Sequence, residues 1–237
     1  MNVDQWNLIS NLSHCYDDHA GLAIGEKYMS QQNSLPPRLR FKSTSILQLY
    51  QMTFDGAQSL YANNGDFRSL CANDRSILLH STLSCTASIS SNFILCKIQL
   101  MEQSAYFDAM ELITSAYLVT FARRLPQRLK FDVIVMKMLL AILSFSTFRY
   151  TVYPSTSSGN LSNVQEILCI QDRYIDLTWR YLLFTYDQEQ AVKCFSDFIR
   201  CVFVVNEGIV QLENVQWFTE DIDSLTEKVE QVLSVND

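Results

Sequence analysis

Residues 76–96 read Ser76-Ile-Leu-Leu-His80-Ser-Thr-Leu-Ser-Cys85-Thr-Ala-Ser-Ile-Ser90-Ser-Asn-Phe-Ile-Leu95-Cys96, a run without a formally charged residue when His80 is neutral. Its length invites a membrane reading. Against that, Ser81, Thr82, Ser84, Thr86, Ser88, Ser90, Ser91 and Asn92 carry more hydroxyl and amide groups than an ordinary lipid-spanning helix accommodates. Apolar or small residues fall on every side of the helix this run would form, so protein is expected on both faces. A helix surrounded in this way belongs in the middle layer of an all-α fold.

Outward from this run, apolar positions repeat with helical rather than strand period. Leu8, Ile9, Leu12, Cys15 and Tyr16 give a first amphipathic helix, expected to fray near Gly21 and Gly25, and Pro36 and Pro37 mark a loop. Ile46, Leu49, Tyr50, Thr53, Ala57, Leu60 and Tyr61 then follow the i, i+3, i+4, i+7 rule on one long helix. Ser43, Thr44 and Ser45 are its cap candidates, and Asn63, Asn64 and Gly65 its stop. The uncharged run, starting near Asn73, is the third long helix. A connection over residues 103–107 leads to a helix with Leu112, Ile113, Ala116, Tyr117 and Phe121. Pro126 separates it from another carrying Val133, Met136, Leu139, Leu140 and Leu143. Tyr153, Pro154, Ser157, Ser158 and Gly159 form the clearest loop. Leu161, Val164, Leu168, Gln171, Ile175, Thr178 and Leu182 make a long stripe, and Cys194, Phe195, Phe198, Ile199, Val202 and Phe203 mark a further helix. Leu225, Val229, Val232 and Leu233 suggest a short last one. No alternating strand, internal repeat or low-complexity tract is visible.

With 237 residues, 48% of them hydrophobic and 12% aromatic, the chain suffices for one large core, and a single domain over residues 1–237 is expected. The formal charge of -7 offers no electrostatic footprint for phosphate backbones or anionic membranes. Cys15, Cys71, Cys85, Cys96, Cys169, Cys194 and Cys201 form no C-x-x-C pair and read as reduced, buried packing residues. The opening Met-Asn-Val-Asp-Gln-Trp6 has neither the basic region nor the apolar run of a secretory signal. Asp17-Asp18-His19 is a weak metal candidate, because neighbouring helical residues point in different directions. His14, His19 and His80 fit no zinc spacing, and neither a G-x-S-x-G elbow nor a phosphate loop occurs. No enzyme activity, metal or cofactor is expected.

Periodicity alone stops at a helical bundle. The segment Phe67-Arg-Ser-Leu70-Cys-Ala-Asn-Asp74-Arg75-Ser-Ile-Leu78-Leu79 resembles the signature of nuclear-receptor ligand-binding domains, where a Phe, a Leu and an Asp-Gln pair precede a Leu-Leu step. Its spacing is intact, and Arg75 stands at the usual Gln. Leu129-Lys-Phe-Asp132 with Met138-Leu-Leu-Ala-Ile142-Leu-Ser-Phe145-Ser resembles the family's eighth helix. Ile170-Gln171-Asp-Arg-Tyr174-Ile-Asp-Leu-Thr-Trp179-Arg-Tyr-Leu182 resembles the ninth. With the Trp6 to Tyr16 opening, these segments cover nearly the whole chain in the family's order.

The resemblance implies a three-layer antiparallel helical sandwich around an apolar pocket, with a mobile terminal helix closing a groove for coactivator or corepressor peptides. It implies a transcription-regulating module of the nucleus, shuttling with the cytoplasm in some members. DNA would be reached only through a zinc-finger domain that precedes this region in the family. In the groove, a family Lys and a Glu of the terminal helix bind the two ends of a peptide helix, where backbone groups are unsatisfied. Here Ala62, or Asn63 with one deletion, falls at the Lys position, and Val229-Glu230-Gln231-Val232-Leu233 matches the terminal pattern only in part. The groove candidates are Ala57, Tyr61, Asn63, Arg75, Leu79, His80 and Glu230. Arg75 reads either as a displaced clamp or as a structural residue after Asp74.

The resemblance also implies ligand contacts at Leu49, Met52, Thr53, Ile89, Phe93, Met110 and Phe203. Thr53 and Ile94 fall where several members carry polar anchors, and no arginine occurs between Arg75 and Arg123. A ligand would therefore be neutral and lipophilic; the alternative is that these residues only fill the core. Phe195, Phe198 and Val202 fall on the family's dimerisation helix, for a homodimer or pairing with a retinoid X receptor-like partner. A second reading of the whole chain is a helical interaction scaffold without a pocket, which cavity volume separates from a receptor.

Overall fold

Polar side chains cap the helices at several junctions. Asn64 accepts from the Asp66 and Phe67 amides, Ser115 from Leu118, Asp132 from Val135, Asn163 from Glu166 and Asp187 from Gln190. Each such cap contributes about 1 kcal/mol by satisfying amides that have no partner within the helix. The computed structural model describes residues 3–15, 18–147 and 160–235. The described residues are helical throughout the elements they form, and no strand occurs among them. The order is α1 Val3–Cys15, α2 Asp18–Ser34, α3 Ser43–Phe54, α4 Gln58–Ala62, α5 Gly65–Ser69, α6 Ala72–Lys97, α7 Ser104–Ile113, α8 Ala116–Ala122, α9 Val133–Ser144, α10 Val164–Thr185, α11 Gln188–Leu212 and α12 Gln216–Val235. The loop expected at Tyr153 to Gly159, Tyr16 of the first stripe and Asp17 of the metal candidate lie outside the described residues.

The uncharged run is the spine of the molecule. Every residue at positions 81–95 of α6 is buried, with α9, α11, α3, α12 and α2 packed around it. Most of its hydroxyls are accommodated because they bond within protein. Thr82 Oγ1 donates to the Leu78 carbonyl at 2.7 Å, the Tyr61 hydroxyl meets Thr82 and Thr86 at 2.9 and 2.8 Å, and Thr53 pairs with Ser91 at 2.7 Å. A second hydroxyl pair, Tyr50 with Tyr106 at 2.6 Å, ties α3 to α7. No helix of the described residues is long and apolar enough to cross a membrane.

The residues carrying the sequence resemblance converge on one region of the core. Phe67, Leu70, Asp74, Leu78 and Leu79 are all buried. Phe67 packs edge-on against Tyr61 and Phe145, whose ring in turn stacks on Tyr174, with centroids 5.0, 5.9 and 5.7 Å apart. Asp74 accepts from the Ser162 and Asn163 amides at 2.6 and 3.0 Å, which fastens the start of α6 to the start of α10.

Several boundaries differ from expectation. Gly21 and Gly25 do not end a helix: α2 runs through both. A Cβ at Gly21 would lie 2.6 Å from Ile94 Cδ1, and one at Gly25 2.9 Å from Ile98 Cγ2, so these glycines permit close approach of α2 to α6. The helix expected over Ile46 to Tyr61 tightens into a 3-10 turn at Asp55–Ala57, around Gly56, the weakest helix former in that stretch. The connection expected at residues 103–107 lies earlier, at a left-handed Gln99 and a 3-10 turn over Leu100–Glu102, and Tyr106 and Phe107 already pack within α7. The stripe from Leu112 to Phe121 is broken at Thr114, where Ser115 caps α8. The short last helix is α12, extended to Gln216.

Two glycines in this frame should respond oppositely to substitution. Gly25→Leu forces Ile98 and Ile94 aside and is expected to lower stability by roughly 2–3 kcal/mol. At Gly208 a Cβ meets only Leu118 Cδ2, at 3.7 Å, so Gly208→Ala is expected to raise stability by roughly 0.5–1 kcal/mol through helix propensity. Urea unfolding of the two variants measures both; equal signs would overturn this account of close approach.

Candidate peptide groove

The surface formed by α4 and the first half of α6 is covered by α12. The covering helix buries Phe218, Leu225, Thr226, Val229 and Leu233, positions three, four and seven apart along one face. Its charged flanks are pinned on both sides. Lys228 Nζ lies 2.8 Å from Asp55 Oδ1, Gln51 Nε2 donates to Asp221 Oδ1 at 3.0 Å, and on the α6 side Glu230 Oε1 accepts from Ser76 Oγ at 3.0 Å and His80 Nε2 at 3.2 Å. At the other end, Phe218 meets Phe54 edge-on and Trp217 Nε1 donates to the Ile113 carbonyl at 3.0 Å. The ion pairs are about half exposed and contribute little; the buried apolar face holds the helix down.

Of the groove residues expected from sequence, His80 and Glu230 are brought into contact across 150 positions of chain. Ala57, Tyr61 and Leu79 are fully buried, and the Tyr61 hydroxyl points to the α6 threonines. Asn63, exposed, is the C-cap of α4. Arg75 does not stand free at the groove. It is 8% exposed and its Nη1 donates to the Arg68 carbonyl at 2.8 Å, closing the end of α5, so the structural reading of this residue describes it better than the clamp. Sequence reasoning missed Ser76, Asp55, Lys228 and Asp221. Their spacing carries no signal, because the partners come from distant segments.

The expected ligand contacts do not share one cavity. Leu49, Thr53, Ile89 and Phe93 are buried in the core, whereas Met52 is 50% and Phe203 57% exposed, each turned outward from its helix. Leu49 and Met52 line a cleft of about 250 Å³ beside α2, and Met110 alone of the set lines a partly open apolar pocket of about 80 Å³ among α3, α6, α7, α8, α11 and α12. On α11, Phe198 is a core residue and Phe195 packs edge-on against Trp179, while Val202 is half-buried. The outward stripe consists instead of Val192, Ile199 and Phe203.

Cys71 and Cys169 are exposed, contrary to the expectation of uniformly buried packing cysteines, and Cys85, Cys194 and Cys201 are buried. Burial pushes the Cys96 and Cys201 thiols up to about 12 and that of Cys194 up to about 11, which keeps all three protonated at neutral pH. Among the described residues no group of three or more His, Cys, Asp or Glu side chains could hold a metal ion. No protein-family model matches the chain, and no curated protein matches it.

Proposed function

We propose that this chain is a divergent nuclear-receptor-type ligand-binding domain, a three-layer helical sandwich that regulates transcription in the nucleus by docking the amphipathic helices of coregulators. One observation carries the reading: α12 lies along α4 and α6 with Val229 and Leu233 buried and Glu230 held by Ser76 and His80. An exogenous peptide helix would lie on the same surface in the same manner. The burial of Phe67, Leu70, Asp74, Leu78 and Leu79, with Asp74 joining α6 to α10, supports the family assignment.

The interior favours a ligand-independent mode over control by a large lipophile. Pockets of about 80, 200 and 250 Å³ among the described residues fall short of the roughly 300–1,000 Å³ of ordinary ligand pockets. That observation also favours the second reading, a helical interaction scaffold without a hormone site, and the two share the docking surface. Self-association, or pairing with a retinoid X receptor-like partner, would use Val192, Ile199 and Phe203 on α11.

Hydrogen exchange tests the docking surface. A helical peptide with apolar residues at i, i+3 and i+4 and a flanking acid should protect α4 and the Ser76 to His80 turn, whereas a scrambled peptide should not. Protection elsewhere, or none at saturating peptide, would sink the reading.

A further inference from the structure

Residues 27–54 carry Lys27, Arg38, Arg40 and Lys42 and no Asp or Glu, although the formal charge of the chain is -7. The field at this face therefore favours an anion. Most walls of the 250 Å³ cleft between α2 and α3 come from the same stretch, and Lys27 is the one charged side chain among them. Lys27 takes part in no ion pair among the described residues. Gln32 also lines the cleft and is 6% exposed. Its Oε1 accepts from the amide of Phe41 at 2.7 Å, where the backbone is left-handed with φ 52°, so the orientation of the side-chain amide is fixed. Its Nε2 has no hydrogen-bond partner among the described residues. A donor withdrawn from water in this way is costly to leave unmatched, which points to an acceptor supplied from outside the chain. The hydroxyls nearby are already engaged: Ser45 Oγ donates to the Lys42 carbonyl at 2.9 Å, so the Tyr28 hydroxyl donates to Ser45 Oγ at 3.2 Å.

Size and charge narrow the occupant. One water takes roughly 10–15 Å³ of such space at the least and about 30 Å³ in the liquid, so the cleft holds about eight to twenty heavy atoms. One cation and one fixed amide donor match a single carboxylate, whose two oxygens accept from both. We propose that this cleft binds a compact monocarboxylate, its charged end held by Lys27 Nζ and Gln32 Nε2 and its apolar end laid against Ile24, Leu49 and Met52. The cleft shares no lining residue with the apolar pocket between α3, α6 and α11. The site goes beyond the docking reading and requires neither the groove nor the family assignment.

The test is calorimetric titration of the full chain at pH 7 with phenylacetate and with phenylacetamide, a neutral molecule of the same shape and number of heavy atoms. Phenylacetate should bind in the millimolar range or tighter, and the amide at least about tenfold more weakly, because a hydrogen bond to a charged acceptor is worth more than one to a neutral acceptor. Lys27→Met keeps the stem and removes the charge; it should weaken phenylacetate about fivefold and leave the amide unchanged. Gln48→Glu places a carboxylate on the cleft wall and should weaken phenylacetate by a similar factor. Lys27 and Gln48 are both exposed, so both variants should fold. No phenylacetate binding in the millimolar range, an amide that binds as tightly as the acid, or unchanged phenylacetate affinity in either variant would each overturn the proposal. Peptide docking is measured separately and stands or falls by itself.

Discussion

Asp74→Ala is expected to lower the unfolding free energy by about 3 kcal/mol, because it strips a charged acceptor from two backbone amides and leaves them buried without a partner. For a chain of this size that corresponds to a fall in melting temperature of roughly 6–12 °C. The carboxylate is 1% exposed, accepts from Ser162 and Asn163, and lies beside Asn73, whose amide reaches the Asn160 carbonyl and Ser162 Oγ. Burial by itself raises the Asp74 pKa. The Ser162 and Asn163 amides, with the Cys71 and Ser162 side chains, outweigh it and hold the group below the usual carboxylate range. A depressed folded pKa means that stability is fully present above the unfolded value near 3.9 and is lost as pH falls through the folded value. Wild type should therefore lose stability steeply below about pH 4, and Asp74→Asn should flatten that loss while starting from a lower plateau. Thermal melts from pH 7 to pH 3 measure both. A variant as stable and as acid-sensitive as wild type would remove Asp74 from the joint between α6 and α10.

That joint was half legible. The sequence showed Asp74 in place before Leu78 and Leu79, but its partners lie 88 and 89 positions away, and no local pattern names them. The same division holds elsewhere. The burial of α6 could be read from the lack of charge together with apolar or small residues on every side, since the hydroxyls argue against lipid and the apolar faces against water. Which hydroxyl bonds to which tyrosine could not, because Tyr61 and Tyr50 arrive from other helices. Gly21 and Gly25 were misread as punctuation: glycine weakens a helix and also lets two helices touch, and only the facing Ile94 and Ile98 decide between these roles. Met52 and Phe203 enter the ligand set through the resemblance, and a family match fixes neither which way a side chain turns nor what covers it: Met52 is 50% and Phe203 57% exposed.

Undocking α12 is expected to strengthen binding of a helical peptide to the α4 and α6 surface by at least about tenfold. A covered groove reduces apparent affinity by the fraction of molecules in which it is open. Val229 is 0% and Leu233 7% exposed, and burial of such side chains is worth roughly 1.5–3 kcal/mol each. Val229→Asp with Leu233→Asp should therefore release the second half of α12 while Trp217 and Phe218 keep its first turn in place. Charge should matter far less. Lys228→Ala or Glu230→Ala, each removing a half-exposed pair, should change affinity by about threefold or less. Fluorescence polarisation with a labelled amphipathic peptide measures the series, and circular dichroism shows whether the double variant keeps its helical content. Stronger binding after the apolar pair of substitutions, with little change after the charge deletions, identifies α12 as an internal competitor for the docking surface. If the double variant stays folded and binds no better than wild type, the helix is ordinary core packing and the surface beneath it does not receive coregulators.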